Sequence, residues 1–203
     1  MKSRAGFIIG IDEVGRGALA GPVTVAAAAI QANSKLKTPN SKLKLRDSKK
    51  LSPKQREAWF DFIKKQKIPY AIASVSPKII DKINISQAAN LAAGRAFKKL
   101  ANSHLGLATK VKIFLDGGLR FNVKCQMSDV RCVIRGDEKI PAISLSSIVA
   151  KVHRDKLMKK LHKKYPRYDF IHNVGYGVKK HAIALKKYGP SPIHRRSFKT
   201  PLA

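Results

Sequence analysis

Short apolar runs separated by polar turns predict a sheet of five strands. β-Branched and aromatic residues are concentrated in these runs, and such residues fit a pleated surface that other elements cover. Residues Gln31 to Lys50 are polar and rich in lysine, so they are predicted to form a surface loop. The predicted strands are Phe7 to Ile11, Val23 to Ile30, Tyr70 to Val75, Val111 to Leu115 and Met127 to Ile134.

Helical periodicity and capping signals predict helices between and after these strands. Ser52-Pro53-Lys54-Gln55 has the form of a capping box with proline at the first helical position. It opens a helix to about Lys67, with Trp59, Phe60 and Ile63 on its buried side. Tyr165 to Gly177 is predicted to be a loop. The other predicted helices run from Ser76 to Ile83, from Ile85 to about Ser103, from Ala142 to about Lys164 and from Val178 to Lys187.

The charge balance narrows the possible partners. The chain has 203 residues, with 42 Lys and Arg against 12 Asp and Glu and a formal net charge of +30. Such an excess favours polyanions, either nucleic acid or an anionic membrane surface. No stretch approaches the roughly 18 apolar residues of a spanning helix, which favours nucleic acid, and no membrane partner is expected.

The cysteines and the start of the chain indicate a cytoplasmic protein. The first apolar run breaks into charge too soon for a signal peptide. Cys125 and Cys132 have neither the spacing nor the histidine partners of a zinc site. They are expected to be free thiols in a reducing cytosol, although a single disulfide between them is the alternative.

Four carboxylates share one pattern. Asp12, Glu13, Asp116 and Asp137 each follow an apolar segment and adjoin a turn that contains glycine. If their strands lie in one sheet, these ends can converge, and their oxygen atoms would suit Mg²⁺ or Mn²⁺. Two such ions about 3.5–4 Å apart can activate a water and stabilise the leaving oxygen in phosphodiester cleavage.

Alternatives remain at several of these acids. Asp12 and Glu13 are neighbours in sequence and should face opposite sides of a strand, so they can share a metal only if the strand ends or bends there. The simpler possibility is a strand that ends in an ordinary polar turn. Glu138 competes with Asp137 for the role of ligand, and Asp155 is expected to be structural because Lys151 lies four residues before it on a helix.

Several motifs resemble those of bacterial ribonuclease HII, and they occur in order over nearly the whole chain. Gly15-Arg16-Gly17, within the first motif, is closer to type HII than to type HIII, whose loop carries a lysine. The matching segments are Ile11 to Pro22, Asp47 to Leu51, Leu115 to Gly117, Gly136-Asp137, Ser147 to Asp155, Gly175 to Gly177 and Tyr188 to Phe198.

The resemblance implies an α/β, ribonuclease-H-like fold with a central mixed sheet flanked by helices. It implies one catalytic domain over residues 1–203, with roughly 165–203 as a helical, basic extension that binds substrate. The implied activity is metal-dependent cleavage, with Mn²⁺ or Mg²⁺, of the RNA strand in RNA–DNA hybrids and at single ribonucleotides in duplex DNA. Apart from the resemblance, we expect a monomer in the cytoplasm.

The resemblance also implies roles for individual residues. Asp12, Glu13, Asp116 and Asp137 match the catalytic and metal-binding acids. Residues Gly15, Arg16 and Gly17 match the loop that senses the ribose 2′-hydroxyl, and Tyr176 matches the tyrosine that stacks on the sugar at the RNA–DNA junction. The remaining predicted substrate contacts are Lys49, Arg195 and Arg196.

Two other classes of function remain as rivals. One is a nucleic-acid-binding protein without catalysis, whose acids are structural. Four carboxylates converging at strand ends argue against it, because they would repel phosphate unless a metal intervened. The other is a different metal-dependent nuclease or an integrase on the same fold, which the Gly15-Arg16-Gly17 loop and Tyr176 argue against.

Overall fold

The computed structural model describes residues 6–32, 45, 48–105, 111–120 and 128–199. Its five strands form one sheet in the order β3-β2-β1-β4-β5. Strands β1 and β2, and β2 and β3, are antiparallel, whereas β1 and β4, and β4 and β5, are parallel. The predicted mixed sheet is therefore confirmed. The strands are β1 Phe7–Val14, β2 Val23–Gln31, β3 Tyr70–Val75, β4 Val111–Asp116 and β5 Ser128–Val133.

Strand β1 is longer than predicted. The prediction ended it at Ile11, but its pairing with β2 continues through Asp12, Glu13 and Val14. Main-chain hydrogen bonds to a neighbouring strand do not depend on which side chains the strand carries, so the polar side chains do not end the ladder. The expectation that the strand ends at its acids is therefore wrong. Met127, predicted to begin β5, lies outside the described residues.

Helices cover both faces of the sheet. The capping box is present, because Ser52 Oγ accepts from Gln55 N–H at 3.3 Å and Gln55 Oε1 accepts from Ser52 N–H at 2.8 Å. Trp59 and Ile63 are buried, while Phe60 is half-buried. The helices are α1 Pro53–Lys65, α2 Pro77–Leu100, α3 Gly136–Lys139, α4 Pro141–Lys164, α5 Phe170–Asn173 and α6 Lys179–Tyr188, with short 3-10 helices at Ser48–Lys50 and Pro166–Tyr168 and a π-helical turn at Ala101–Leu105.

Helix α2 spans the two helices that were predicted on either side of Asn84. Asn84 is not helical, with φ 63° and ψ 167°, and it therefore kinks the helix. Its side-chain Oδ1 accepts from Gln87 N–H at 3.0 Å and caps the second segment. The predicted break is present as a kink inside one element.

The two faces of the sheet have separate hydrophobic cores. Helix α2 packs on one face against residues such as Ile9 and Ile11. Helices α1 and α4 cover the other face, where Trp59 is buried. Helix α4 lies so close to β1 that a Cβ on Gly10 would be 2.1 Å from the Ala142 carbonyl carbon.

The segment after α4 packs on α4 and on the turn that follows β1. A third cluster includes Ala20, Met158, Tyr168 and Phe170. The prediction of a loop from Tyr165 to Gly177 is wrong, because this segment contains a 3-10 helix and α5. Elements of three or four residues are too short to show a helical period in the sequence. Among the described helices, none combines the length and apolar character that crossing a bilayer requires.

Candidate functional site

The carboxyl ends of the three parallel strands bring the candidate acids to one edge of the sheet. Ile11 of β1 and Leu115 of β4 form the last registered pair between these strands. Asp12 and Asp116 are the next residue on each strand. Asp137 lies in the first turn of α3, just after β5. The fold therefore brings Asp12 and Asp116 to the same edge of the sheet, and the turn that carries Asp137 contacts the end of β4 through Gly136.

Asp12 is buried against helix α4. Its side chain is 6% exposed. Its Oδ1 accepts from Glu13 N–H at 2.7 Å, and Ser147 of α4 also forms a hydrogen bond to this carboxyl. Burial raises the pKa of Asp12 well above its usual value, and the charges of Glu13 and Asp116 raise it further. A cation at this position would relieve that electrostatic cost.

Glu13 is held toward the other side of the strand. Its Oε1 accepts from Arg16 Nη1 at 3.2 Å, and Arg16 also donates to the Gly118 carbonyl at 3.1 Å and to Ser86 of α2 at 3.3 Å. Its Oε2 is buried and has no hydrogen-bond partner among the residues that the structure describes. Burial raises the pKa of Glu13, although Arg16 opposes the shift.

Asp116 and Asp137 are fixed by main-chain contacts. Asp116 Oδ1 accepts from Gly136 N–H at 2.8 Å, which ties the end of β4 to the start of α3. Asp137 is 7% exposed, and its carbonyl accepts from Ser144 Oγ at 2.6 Å. The rival acid Glu138 instead forms an ion pair with Lys50 at 2.6 Å on the surface.

The chemistry of these donors fits a hard divalent cation. They are carboxylate oxygens, burial raises the pKa values of Asp12 and Glu13, and Glu13 Oε2 is buried without a partner in the described part of the chain. Within the described ranges, no three His, Cys, Asp or Glu side chains are arranged as a ready metal site. The four-acid ligand set therefore stays a prediction.

The glycine loop, residues Gly15 to Gly21, follows Asp12 and Glu13 in the chain. Arg195 contacts this loop from the interior of the protein. Gly15 has φ 83°, a conformation that favours glycine. The prediction placed Arg195 among the substrate contacts, but its side chain is 3% exposed and donates to carbonyls of this loop. Burial and the charge of Arg154 lower the pKa of Arg195 to about 9, so it stays protonated at neutral pH.

The other predicted basic contacts are on the surface. Arg196 is exposed, and its main-chain N–H donates to Asp81 Oδ2 at 3.1 Å. Lys49 is exposed in the 3-10 helix Ser48–Lys50. That helix docks on α4, because Ser48 Oγ lies 2.8 Å from Ser147 Oγ, the same serine that contacts Asp12.

Tyr176 is half-buried, and main-chain contacts tie its loop to the glycine loop. The Gly175 carbonyl accepts from Leu19 N–H at 2.8 Å and from Ala20 N–H at 3.2 Å. The Tyr176 carbonyl lies 2.9 Å from His181 Nδ1. The two segments that the resemblance assigned to substrate recognition are therefore neighbours in the fold.

Sequence reasoning missed three buried residues in this region. Arg154 is fully buried beneath the glycine loop, and its signal is the spacing Ala150-Arg154-Met158, which puts all three on one buried stripe of α4. His181 and His194 are also buried, with their Nε2 atoms 3.0 Å apart. No local pattern indicated that these two histidines would meet.

Known proteins resemble this chain over most of its length. The sequence profile of the family described as Ribonuclease HII matches residues 9–201. Ribonuclease HII of Lactobacillus gasseri is 43% identical over 192 residues, which cover 95% of this chain and 70% of the relative.

Two solved structures are similar in fold. Ribonuclease H2 from Pyrococcus horikoshii OT3 has a TM-score of 0.71 and 26% identity, covering 95% of this chain and 94% of that one. Bst-RNase HIII in complex with Mn²⁺ has a TM-score of 0.68 and 18% identity, covering 93% of this chain and 64% of that one. At that identity the second likeness concerns the fold alone.

Proposed function

The chain belongs to the ribonuclease HII family, and from that premise we propose how its residues carry out the reaction. It is a ribonuclease H, a metal-dependent hydrolase of the RNA in RNA–DNA hybrids. We propose that it also cuts at single ribonucleotides embedded in duplex DNA. The cut falls on the 5′ side of the ribonucleotide and leaves a 3′-hydroxyl and a 5′-phosphate.

The acids at the sheet edge would hold Mn²⁺ or Mg²⁺, two ions when substrate is bound. The ions would supply an activated water and would neutralise charge on the phosphate. The observation that carries this assignment is the adjacency of Asp12 and Asp116 across two parallel strands, with Asp137 one residue after Gly136, which donates to Asp116. The contacts from Glu13 N–H to Asp12 and from Gly136 N–H to Asp116 hold the two carboxylates in place.

The glycine loop and Tyr176 are proposed to recognise the ribonucleotide. The 2′-hydroxyl is the group that distinguishes RNA from DNA at a given position. Gly17 is exposed, and a Cβ built on it meets no atom within 4 Å, so a nucleic acid can approach the main chain closely there. Tyr176 would then stack on the sugar that follows.

Binding to the rest of the duplex is electrostatic and independent of base sequence. The net charge of +30 attracts phosphates without reading bases. Lys49 and Arg196 are exposed and are proposed to contact phosphates, while Arg195 acts from inside the fold. We also propose that the protein acts as a monomer in the cytoplasm, where its DNA substrate would be found.

One assay tests the assignment. The protein is incubated with Mg²⁺ or Mn²⁺ and a duplex that carries one ribonucleotide in one strand, and the cut is mapped at nucleotide resolution. A matched duplex without the ribonucleotide is the control. We expect one cut, 5′ to the ribonucleotide, and none in the control. Cleavage of the all-DNA duplex, or a cut 3′ to the ribonucleotide, would contradict the proposal.

A further inference from the structure

The guanidinium group of Arg195 donates hydrogen bonds to three main-chain carbonyl groups of the glycine loop. Its Nη2 donates to the Gly15 carbonyl at 2.6 Å, its Nη1 to the Arg16 carbonyl at 2.8 Å and its Nε to the Gly21 carbonyl at 3.0 Å. The planar guanidinium suits this task because its donors leave in fixed, different directions. A lysine ammonium has no such fork.

Arg154 supports the same loop from α4. It donates to the carbonyls of Pro22, Ala20 and Val174, the last two at 3.0 and 3.2 Å. A Cβ on Gly15 would lie 2.4 Å from the Arg154 guanidinium carbon, so the loop lies directly on this group. Because Val174 precedes the Tyr176 loop, Arg154 joins both recognition segments.

The two guanidinium groups keep their charge inside the protein. In the part of the chain that the structure describes, neither forms an ion pair with a carboxylate. The Nη atoms of both groups and Nε of Arg195 donate to neutral carbonyl oxygens, and Arg154 Nε is buried without a hydrogen-bond partner among the described residues, so two positive charges remain beneath the loop. An anionic ligand on the other side of the loop would be attracted by them, because charges in a buried setting are weakly screened.

The carbonyl contacts determine where the loop amides point. In a trans peptide the C=O and the N–H of one plane point in opposite directions. The carbonyls of Gly15 and Arg16 are directed at Arg195, so the N–H groups of Arg16 and Gly17 are directed away from it, toward the exposed side of the loop. Amides that are held in this way can donate to an oxygen ligand without reorganisation.

We propose that Arg195, supported by Arg154, is a positioning residue that sets the amides of Arg16 and Gly17 for the ribose 2′-hydroxyl and the adjoining phosphate. The inference rests on the proposed function of the glycine loop. It assigns Arg195 no contact with substrate. It also explains why an arginine suits this position, since a neutral donor would satisfy the same three carbonyls less completely.

Two substitutions separate positioning from direct contact. Arg195→Lys keeps the charge and loses the fork, and Arg195→Gln loses both. Affinity is measured in Ca²⁺, which blocks turnover, for a duplex with one ribonucleotide and for its all-DNA counterpart. We expect the ratio of the two affinities to fall at least tenfold in both variants, with the salt dependence of binding unchanged. Arg95→Lys, at an exposed arginine of α2, is the matched control and should keep the ratio.

Other outcomes of these measurements would give Arg195 a different role. A direct phosphate contact would lower the slope of log affinity against log salt by about 1 in Arg195→Gln and leave Arg195→Lys near the wild type. A lower melting temperature with an unchanged ratio would leave Arg195 a purely structural residue. Both results overturn the inference. No discrimination by the wild-type protein would instead contradict the proposed function of the loop.

A measurement on the wild-type protein covers the case in which the variants do not fold. The amide signals of Arg16 and Gly17 are followed by NMR in Ca²⁺ with each duplex. We expect both to shift more with the ribonucleotide duplex than with the all-DNA duplex. Equal shifts, or none, would overturn the inference without any substitution.

Discussion

Asp12 and Asp116 lie on adjacent parallel strands, each one residue beyond the paired Ile11 and Leu115. The charge of Asp116 helps to raise the pKa of Asp12. Two ionised carboxylates at the same height of a sheet, one of them buried, repel each other, and either a proton on Asp12 or a cation near both relieves the repulsion. This relationship makes the edge of the sheet the natural place for a divalent metal.

Replacing Asp116 by asparagine should stop cleavage and keep the fold. Asparagine retains the oxygen that accepts from Gly136 N–H but removes the charge. We expect activity to fall about 1,000-fold or more, since a metal ligand supplies several kcal/mol of transition-state stabilisation. Asp129→Asn, at an exposed carboxylate of β5 paired with Arg131, is the control and should keep its activity. Full activity in a folded Asp116→Asn variant would exclude Asp116 from the site.

Asp12→Asn should make the metal-free protein more stable at neutral pH. Because the folded chain holds the Asp12 proton more tightly than the unfolded chain, stability falls as pH rises above the usual value of 3.8 through the raised pKa. The variant loses this dependence, and each tenfold difference in proton affinity between the two states corresponds to about 1.4 kcal/mol. Thermal denaturation with a chelator at pH 4 to 8 measures the effect.

The same experiment with Mn²⁺ tests the metal assignment. Binding to the folded state raises the melting temperature. We expect Mn²⁺ to stabilise the wild-type protein more than Asp12→Asn. Equal stabilisation of both would mean that Asp12 does not hold the ion, whatever the variant does to activity.

The residues at the sheet edge show which features of the fold and the site could be predicted from the sequence alone. The resemblance and the apolar runs that end in acids predicted the mixed sheet, which is confirmed, and the edge where Asp12 and Asp116 meet. Strand alternation predicted that Asp12 and Glu13 face opposite sides, but the continuation of β1 past Ile11 was not predicted. The interior position of Arg195 could not be predicted either, because it depends on the docking of the C-terminal segment, which joins residues 180 positions apart in sequence.

Two glycines of the loop should respond differently to alanine. Gly15 has a positive φ and lies against Arg154, so Gly15→Ala should lower both stability and activity. Gly17 has open space around it, so Gly17→Ala should keep the melting temperature and lower cleavage, because its methyl group enters the space the nucleic acid needs. Melting curves and cleavage rates of the two variants are compared. Normal cleavage by a stable Gly17→Ala variant would mean that substrate does not approach the loop there.

The histidine pair should make the fold sensitive to acid. Ser191 N–H donates to His194 Nδ1, so neutral His194 carries its proton on Nε2, which faces His181 Nε2 at 3.0 Å. Burial and His181 lower the pKa of His194 from 6.5 to about 4. The unfolded chain therefore binds more protons between these values, and stability present above pH 6.5 is lost as pH falls toward 4.

The loss is on the order of 3 kcal/mol when complete. It is measured as the melting temperature between pH 7 and 4.5. His194→Asn keeps an acceptor for Ser191 and should flatten the dependence, whereas His104→Asn, at an exposed histidine, should not. If the melting temperature of His194→Asn depended on pH as that of the wild-type protein does, a group other than His194 would cause the acid sensitivity.

Tyr176 should matter most where RNA meets DNA. Its loop is joined to the glycine loop through Gly175, so we expect the ring to lie beside the nucleotide whose 2′-hydroxyl the glycine loop is proposed to contact. A deoxyribose on the 3′ side has no hydroxyl to obstruct the ring, and stacking on an aromatic ring is worth about 1–3 kcal/mol. Tyr176→Ala should therefore slow cleavage at a single embedded ribonucleotide about tenfold or more, and cleavage within a long RNA–DNA hybrid less. Tyr176→Phe keeps the ring and serves as the control, with the preference retained. Rates on both substrates are measured at equal salt, and an equal loss on the two would give Tyr176 a general binding role instead of one at the junction.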